Sequence, residues 1–222
     1  MSILRVQTKL QAAGFDPGPL DGLWGPRTEA ALDAALAAAR APMLSQATQV
    51  MREAIDPGLA LLPSAMDTPA ARVLMLAICG QEADFHHRWQ VYDAKRPEAM
   101  GAARGLWQFE RGGGVRGVLT HERTKTQAAE VCRMRNVAPT VDAVYNALHL
   151  DDTLAAAFAR LLLWTDPRAL PAVGEVEAAW QMYLRNWRPG AYTNGNTRQR
   201  AELRAKWDGY YATAMHTAKG TR

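Results

Sequence analysis

The chain has 222 residues, of which 48% are apolar and 22% are charged, so a mostly disordered protein is excluded. Its 17 glycines and 12 prolines are too few for a collagen-like or low-complexity protein, and its formal net charge is +4. No apolar stretch approaches the roughly 18 to 20 residues of a membrane span. Residues 1–10 lack the apolar core of a secretory signal, so we expect no cleavable signal peptide.

Apolar spacing, turn residues and prolines predict a protein of the all-α class. The predicted helices cover residues 3–13, 26–40, 43–55, 68–83, 126–135, 140–148, 151–164, 174–187 and 197–217. Gly14 is expected to end the first helix, and Pro42 to interrupt the chain near a domain boundary. We therefore expect a small module over residues 1–41 and a larger one over 42–222. The glycine-rich residues 90–117 are predicted to be irregular.

The first module carries a motif between its two helices. Asp21-Gly22 predicts a corner, Trp24-Gly25 follows it, and Thr28 is placed to cap the next helix. This string resembles the peptidoglycan-binding domain found beside many cell-wall hydrolases, whose pattern is DG-x-[FW]-G-x-x-T-x-x-A. The resemblance implies that Asp21, Gly22, Trp24, Gly25 and Thr28 belong to a wall-binding module of helical fold.

The second half of that domain's pattern is not recognisable after Arg40. The module is therefore either shortened or completed by a third helix from residues 43–55. The plainer interpretation of residues 21–25 is a helix–helix corner with Trp24 packed into a small core.

The strongest chemical signal of the larger module is Glu82, near the end of a predicted apolar helix. Helical spacing puts Glu82 on one face with Ile78 and Cys79. A carboxyl that loses water on that side is disfavoured as an anion, so its pKa rises toward the range of a general acid. Cleavage of a glycosidic bond needs such an acid. The alternative is a structural Glu82 in a salt bridge with Arg88 or Arg104.

A second segment, Gly105-Leu106-Trp107-Gln108, follows Glu82 along the chain. Together with Glu82-Ala83-Asp84-Phe85, this segment resembles the lysozyme-like superfamily, in particular goose-type lysozymes and lytic transglycosylases. There a helix with E-[SA]-x-F is followed by G-L-[MW]-Q, and often by A-x-x-Y-N-x-G. Residues 179–190 match this last element loosely, because two residues separate the tyrosine from the asparagine. The resemblance implies a helical catalytic domain in which Glu82 is the acid/base. It also implies a set of substrate-binding residues: Gly105, Leu106, Trp107, Gln108, Tyr183 and Asn186.

The identity of a second carboxylate stays open. If Glu110 faces the cleft, it acts as the base that orients water for an inverting hydrolysis. If Glu110 turns outward, Glu82 works alone and yields the anhydro product of a transglycosylase. Asp84 and Asp93 are weaker candidates for the same role. Three aromatic residues either stack on sugars or belong to the core: Trp107, Tyr183 and Trp187.

Metal and cysteine chemistry are not indicated, and we expect no metal and no cofactor. The five histidines (His86, His87, His121, His149 and His216) lack the spacing of a zinc motif. Cys79 lies inside a predicted apolar helix and Cys132 late in another, so both are predicted to be reduced structural thiols. Neither is placed like the nucleophile of a peptidase.

The last part of the chain is basic. Residues 185–222 contain eight lysines and arginines against two acids. This excess predicts attraction to a polyanion, such as a nucleic acid, an anionic lipid or outer-membrane surface, or an acidic envelope polymer. A solvated basic face is the plain alternative.

Taken together, these patterns resemble a bacteriophage endolysin. The resemblance implies cleavage of the β-1,4 bond between N-acetylmuramic acid and N-acetylglucosamine in peptidoglycan, by a monomer without a specific nucleic-acid partner. Such a protein is expected in the host cytoplasm before lysis and at the cell wall after a membrane pore forms. Two alternatives remain: a non-catalytic wall-binding or phage structural protein, and a nucleic-acid-binding protein that uses the basic C-terminal region.

Overall fold

A computed structural model describes residues 2–91, 95–96 and 98–220. Its secondary-structure content, 67% helix and 4% strand, confirms the prediction of a mostly helical protein. Backbone contacts divide the chain into two compact units, one up to Ser45 and one from Gln46 onward. In the part of the chain that the structure describes, no helix is long and apolar enough to cross a membrane.

The α-helices are numbered here in chain order. They are α1 (Ile3–Ala12), α2 (Pro26–Val50), α3 (Asp56–Ala60), α4 (Pro69–Ala83), α5 (Arg116–Thr120), α6 (Lys125–Met134), α7 (Val141–Ala147), α8 (Asp152–Thr165), α9 (Val176–Trp187), α10 (Gly190–Thr193) and α11 (Thr197–Gly220). Two π-helical turns precede α3 and α5, at Met51–Ile55 and Arg111–Val115, and a 3₁₀ turn spans Ser64–Met66.

The predicted break at Pro42 is wrong, because α2 continues through Pro42 to Val50. A proline inside a helix removes one backbone hydrogen bond and crowds the preceding turn. The neighbouring alanines and leucines are strong helix formers, and they keep the helix intact on both sides of Pro42. The separate helix expected over residues 43–55 is therefore divided between α2 and the π-helical turn that follows.

In the first unit, a buried glutamine holds the corner between α1 and α2. The Gln7 amide donates to Asp21 Oδ1 (3.1 Å) and to the Leu23 carbonyl (2.9 Å), and Gln7 Oε1 accepts from the Gly22 amide (2.9 Å). The predicted motif residues Asp21 and Gly22 thus stabilise the corner. Trp24 is 47% exposed, which contradicts the interpretation that it packs into a small core.

The second unit is built around α4, whose residues from Val73 to Gln81 are all buried. Thr68 caps its first turn by accepting from the Ala71 amide (3.1 Å). The long helix α11 packs along α4. Gly80 permits this approach, since a Cβ there would overlap the ring of Tyr210.

A small antiparallel sheet occupies the segment that we predicted to be irregular. Its strands β1 (Trp89–Val91), β2 (Met100–Arg104) and β3 (Phe109–Glu110) are ordered β1-β2-β3. Arg104 pairs with Trp89 on one side and with Phe109 on the other. Strands this short carry too little alternation to be recognised in a sequence.

The basic C-terminal region covers the end of α9 and the whole of α10 and α11, and part of its charge is neutralised within the fold. Several bases form ion pairs: Arg185 with Asp166, Arg198 with Glu202, Arg204 with Glu177 and Asp208, and Lys206 with Asp84. Exposed ion pairs are screened and weak, but they reduce the field available to an external polyanion. Attraction to a polyanion remains a prediction.

Candidate active site

A cavity of about 740 Å³ opens in the second unit. The end of α4, the turn before β3, the glycine-rich segment Arg111–Val115 and the end of α9 form its walls. Five of the residues predicted for the site line it: Glu82, Gln108, Glu110, Tyr183 and Asn186. Segments far apart in sequence thus converge on one concave surface, the usual setting of a small-molecule or substrate site.

Glu82 lies in the last turn of α4 and is only partly open to the cavity. Burial raises its pKa from 4.5 to about 7, and the nearby charge of Glu110 acts in the same direction. The hydrogen bond from Tyr183 and the charge of Lys206 oppose this shift and do not overcome it. At neutral pH a large fraction of the molecules therefore carries a proton on Glu82, as a general acid requires.

Tyr183 orients the Glu82 carboxyl. Its hydroxyl donates to Glu82 Oε1 at 2.5 Å, across 101 residues of sequence. The Tyr183 ring is stacked on Trp207 and on Trp187, with centroid separations of 5.2 Å and 6.4 Å. Burial, followed by the negative charge of Glu82, raises the pKa of Tyr183 well above its ordinary value, so the phenol remains a donor.

Glu110 ends β3 and lines the cavity with an exposed side chain. The residue before it, Phe109, is buried, so strand alternation turns Glu110 away from the core. Of the two orientations that the sequence left open, the structure has Glu110 facing the cavity. Glu110 is therefore available to a water molecule or to a substrate in that space.

Gln108 is held in an uncommon backbone conformation at the cavity wall. Its φ is 49°, in the left-handed region, and its amide donates to the carbonyls of His87 (3.2 Å) and Gly105 (3.0 Å). The neighbouring Trp107 carbonyl accepts from Trp187 Nε1 at 2.8 Å. These contacts fix the turn between β2 and β3, and with it the position of Gln108.

Gly105, Leu106 and Trp107 do not line the cavity, contrary to their predicted role in substrate binding. Leu106 and Trp107 are almost completely buried, and Trp107 Nε1 donates to the Met75 carbonyl (2.9 Å). Gly105 has a φ of 73° and packs against the backbone of Leu148. The three residues lie in the core beneath the cavity and support its wall instead of facing a ligand.

Asn186 and Trp187 both line the cavity at the end of α9. The Asn186 amide donates to Asp166 Oδ2 (3.1 Å) and to the Met182 carbonyl (2.9 Å), so its orientation is fixed by the fold. Trp187 is partly exposed, whereas Trp107 and Tyr183 are buried. Of the three aromatic residues considered for stacking on sugars, Trp187 is the most accessible.

The remaining carboxylate candidates lie elsewhere. Asp84 does not line the cavity; it accepts from the Tyr210 hydroxyl and pairs with Lys206 (3.3 Å). Burial opposes ionisation of Asp84, but Tyr210 and Lys206 together lower its pKa, so it is an anion at neutral pH. The other candidate, Asp93, lies outside the described residues.

The arginines proposed as structural partners of Glu82 are engaged with other groups. Arg88 forms a bidentate ion pair with Asp152, and Arg104 donates to the carbonyls of Gly101 and Ala103. The interpretation of Glu82 as a salt-bridged structural residue is therefore wrong for these two partners. Its carboxyl is instead held by a neutral phenol, which leaves it able to keep a proton.

The described residues contain no group of three or more histidines, cysteines and acids arranged to hold a metal ion. His86 and His87 lie against each other, with ring centroids 3.9 Å apart. Cys79 and Cys132 are buried and unpaired, as expected of structural thiols. Burial raises the pKa of both thiols, which opposes formation of a thiolate.

Neither protein-family models, nor curated proteins, nor solved structures match this chain. Assignment of a function therefore depends on the chemistry of the cavity and on the motifs in the sequence. The cavity offers a protonatable carboxyl, a phenol that orients it and a second carboxyl facing the same space.

Replacement of Tyr183 by phenylalanine is expected to raise the pKa of Glu82 above about 7, because the hydrogen bond that favours the carboxylate is lost. The measurement is a pH titration of the Glu82 side-chain carboxyl by ¹³C NMR. Tyr192→Phe serves as the control, since Tyr192 packs on Trp180 without contacting Glu82. An unchanged or lowered pKa of Glu82 in Tyr183→Phe would show that the hydrogen bond does not act on this carboxyl.

Proposed function

We propose that the protein cleaves the β-1,4 glycosidic bond between N-acetylmuramic acid and N-acetylglucosamine in peptidoglycan, with Glu82 as the general acid. The observation that carries this proposal is a carboxyl with a pKa of about 7 in the wall of a large cavity. The similarity of the segments around Glu82 and Gln108 to lysozyme-like enzymes supplies the substrate class.

In this proposal Glu82 donates its proton to the glycosidic oxygen as the bond to the anomeric carbon breaks. Tyr183 keeps the donating carboxyl in place and stabilises the carboxylate that remains. Positive charge develops on the sugar ring as the leaving group departs. The newly formed Glu82 carboxylate and the Glu110 side chain provide compensating negative charge in the cavity.

Glu110 supports hydrolysis over the transglycosylase route. A base on the opposite side of the sugar takes a proton from water, whose oxygen then bonds to the anomeric carbon. Glu110 is the second carboxyl that lines the cavity, and its side chain is exposed there. We therefore propose Glu110 as that base, with inversion at the anomeric carbon.

The proposal extends to the first unit as a wall-binding module. Leu23 and Trp24 are 68% and 47% exposed beside the corner that Gln7 stabilises. Aromatic and aliphatic side chains displayed on a fixed corner can pack on the apolar faces of sugars. With both units acting on peptidoglycan, the protein corresponds to an endolysin that acts on the cell wall after the host membrane is permeabilised.

Incubation of purified peptidoglycan sacculi with the full chain, followed by mass spectrometry of the soluble fragments, tests this function. We expect muropeptides with reducing N-acetylmuramic acid ends. Anhydro-muramyl ends would mean that the reaction is a transglycosylation and that Glu110 is not the base. If the protein sediments with sacculi and releases no fragments, the non-catalytic wall-binding alternative is correct and the proposal fails.

A further inference from the structure

Two arginines that belong to no motif of the sequence, Arg116 and Arg188, also line the cavity. Arg116 begins α5 directly after the glycine-rich segment, and Arg188 follows α9 with a φ of 48°. Both side chains are exposed, and neither has an acidic partner among the residues that the structure describes. Arg188 Nε donates to the Arg185 carbonyl (3.2 Å), which steadies the side chain and leaves its terminal amino groups available.

Other arginines near the cavity already bind acceptors or acids of the protein. Arg104 donates to backbone carbonyls, Arg111 pairs with Asp142 (3.1 Å), and Arg185 pairs with Asp166 (3.0 Å). A guanidinium group carries five donors and is always charged, so a fold that needs one for stability normally surrounds it with acceptors. Arg116 and Arg188 lack such a set of acceptors among the residues that the structure describes, and they line the space that a substrate would fill.

The charge of the cavity supports the same conclusion. Among the described residues, the lining arginines that are not ion-paired are Arg116 and Arg188, since Arg185 is neutralised by Asp166, and the lining carboxyls are Glu82 and Glu110. Glu82 is protonated in a large fraction of the molecules at neutral pH, so positive charge is in excess. An excess of one sign in a concave site attracts ligands of the opposite sign.

We infer that Arg116 and Arg188 bind carboxylate groups carried by the substrate, so that the site prefers an acidic glycan over a neutral glycan of the same backbone. This inference rests on the proposed function and deepens it. Guanidinium groups recognise carboxylates through paired, charge-assisted hydrogen bonds. In peptidoglycan the muramic acid residues carry peptides with free carboxylates, close to the bond that would be cleaved.

Binding to the full-length Glu82→Gln protein tests the inference, since turnover does not then consume the ligand. Two probes are compared by isothermal titration calorimetry: soluble peptidoglycan chains with their peptides, and the same chains after carbodiimide-driven amidation of the carboxylates with ammonia. We expect amidation to weaken binding about ten- to a hundredfold. Adding Arg116→Gln or Arg188→Gln is expected to weaken binding of the untreated chains about three- to tenfold each, with little effect on the amidated chains.

Arg168→Gln is the matched control, because Arg168 is exposed, lies outside the cavity, and its replacement removes the same charge. Its effect on the affinity for untreated chains is expected to stay within about twofold, as for a remote surface charge. Equal affinity for both probes, equal losses in all three arginine variants, or no binding of either probe would overturn the inference.

The two proposals fail in different ways. If Glu82→Gln discriminates between the probes as expected but the wild-type protein releases no fragments from sacculi, glycosidase activity is refuted and carboxylate recognition stands. If the wild-type protein cleaves sacculi but the probes bind equally, carboxylate recognition is refuted and the glycosidase activity stands.

Discussion

Replacing Glu82 with glutamine is expected to lower the rate of peptidoglycan cleavage by about a hundred- to ten-thousandfold, the range over which general acid catalysis acts. Glutamine nearly matches glutamate in shape but has no proton to transfer to the glycosidic oxygen. The rate is followed as the loss of turbidity of purified sacculi. Glu130→Gln is the control, because Glu130 is an exposed glutamate on α6 that pairs with Arg133. Equal clearance by the two variants would remove Glu82 from the mechanism.

Loss of activity in Glu82→Gln has to be separated from loss of the fold. The pKa of Glu82 is about 7 in the folded protein, above its ordinary 4.5, so folding favours the protonated form. That contribution to stability is fully present below about pH 4.5 and is lost as the pH rises through about 7. Glutamine does not titrate, so Glu82→Gln lacks this loss. We therefore expect the melting temperature of Glu82→Gln, relative to that of wild type, to rise from pH 5 to pH 8. A variant that melts well below wild type at pH 8 would contradict this account of the buried carboxyl.

Replacing Gly105 with alanine is expected to destabilise the protein by about 2 to 4 kcal/mol, from backbone strain and from overpacking. Gly105 has a φ of 73°, and a Cβ there would lie 2.7 Å from the backbone oxygen of Leu148. Backbone at that distance cannot rotate away as the end of a side chain can. The free energy of unfolding is measured by urea denaturation.

Gly209→Ala is the matched control for Gly105→Ala. Gly209 is exposed within α11, and a Cβ there would meet no atom within 4 Å. Alanine is the better helix former, so this variant is expected to gain up to about 1 kcal/mol. If both glycine variants were equally stable, the turn at Gly105 would not need its left-handed conformation. Because that turn positions Gln108, Gly105→Ala is also expected to reduce cleavage beyond what unfolding explains.

Helix boundaries were predictable where the capping residue lies within a few residues of the backbone group that it binds. The helix expected over residues 68–83 is α4, whose start depends on the Thr68 hydroxyl accepting from the Ala71 amide. The helix expected from residue 151 begins in the same way, with Asp151 accepting from the Leu154 amide. A cap acts across one turn of the chain, so the residue types alone reveal it.

The sheet and the role of Trp107 were not predictable because both depend on partners distant in sequence. Strand β3 has only two residues and exists because β2 pairs with it. The resemblance to lysozyme-like enzymes implies that Trp107 binds substrate, but its indole donates to the Met75 carbonyl, 32 residues earlier in the chain. The sequence pattern around an aromatic residue does not distinguish a side chain that contacts a ligand from one that packs in the core.

Local patterns in the sequence were sufficient to determine the helical class, the course of most helices and the position of Glu82 beside buried neighbours on α4. Only the tertiary structure decided that Tyr183 holds that carboxyl, that Glu110 faces the same cavity, and that Arg116 and Arg188 line it without an acidic partner among the described residues. The physical reason is the distance in sequence between the interacting groups. Helix formation depends on groups a few residues apart, whereas burial, raised pKa values and cavities arise from packing between distant segments, such as those of Glu82 and Tyr183, which are 101 residues apart.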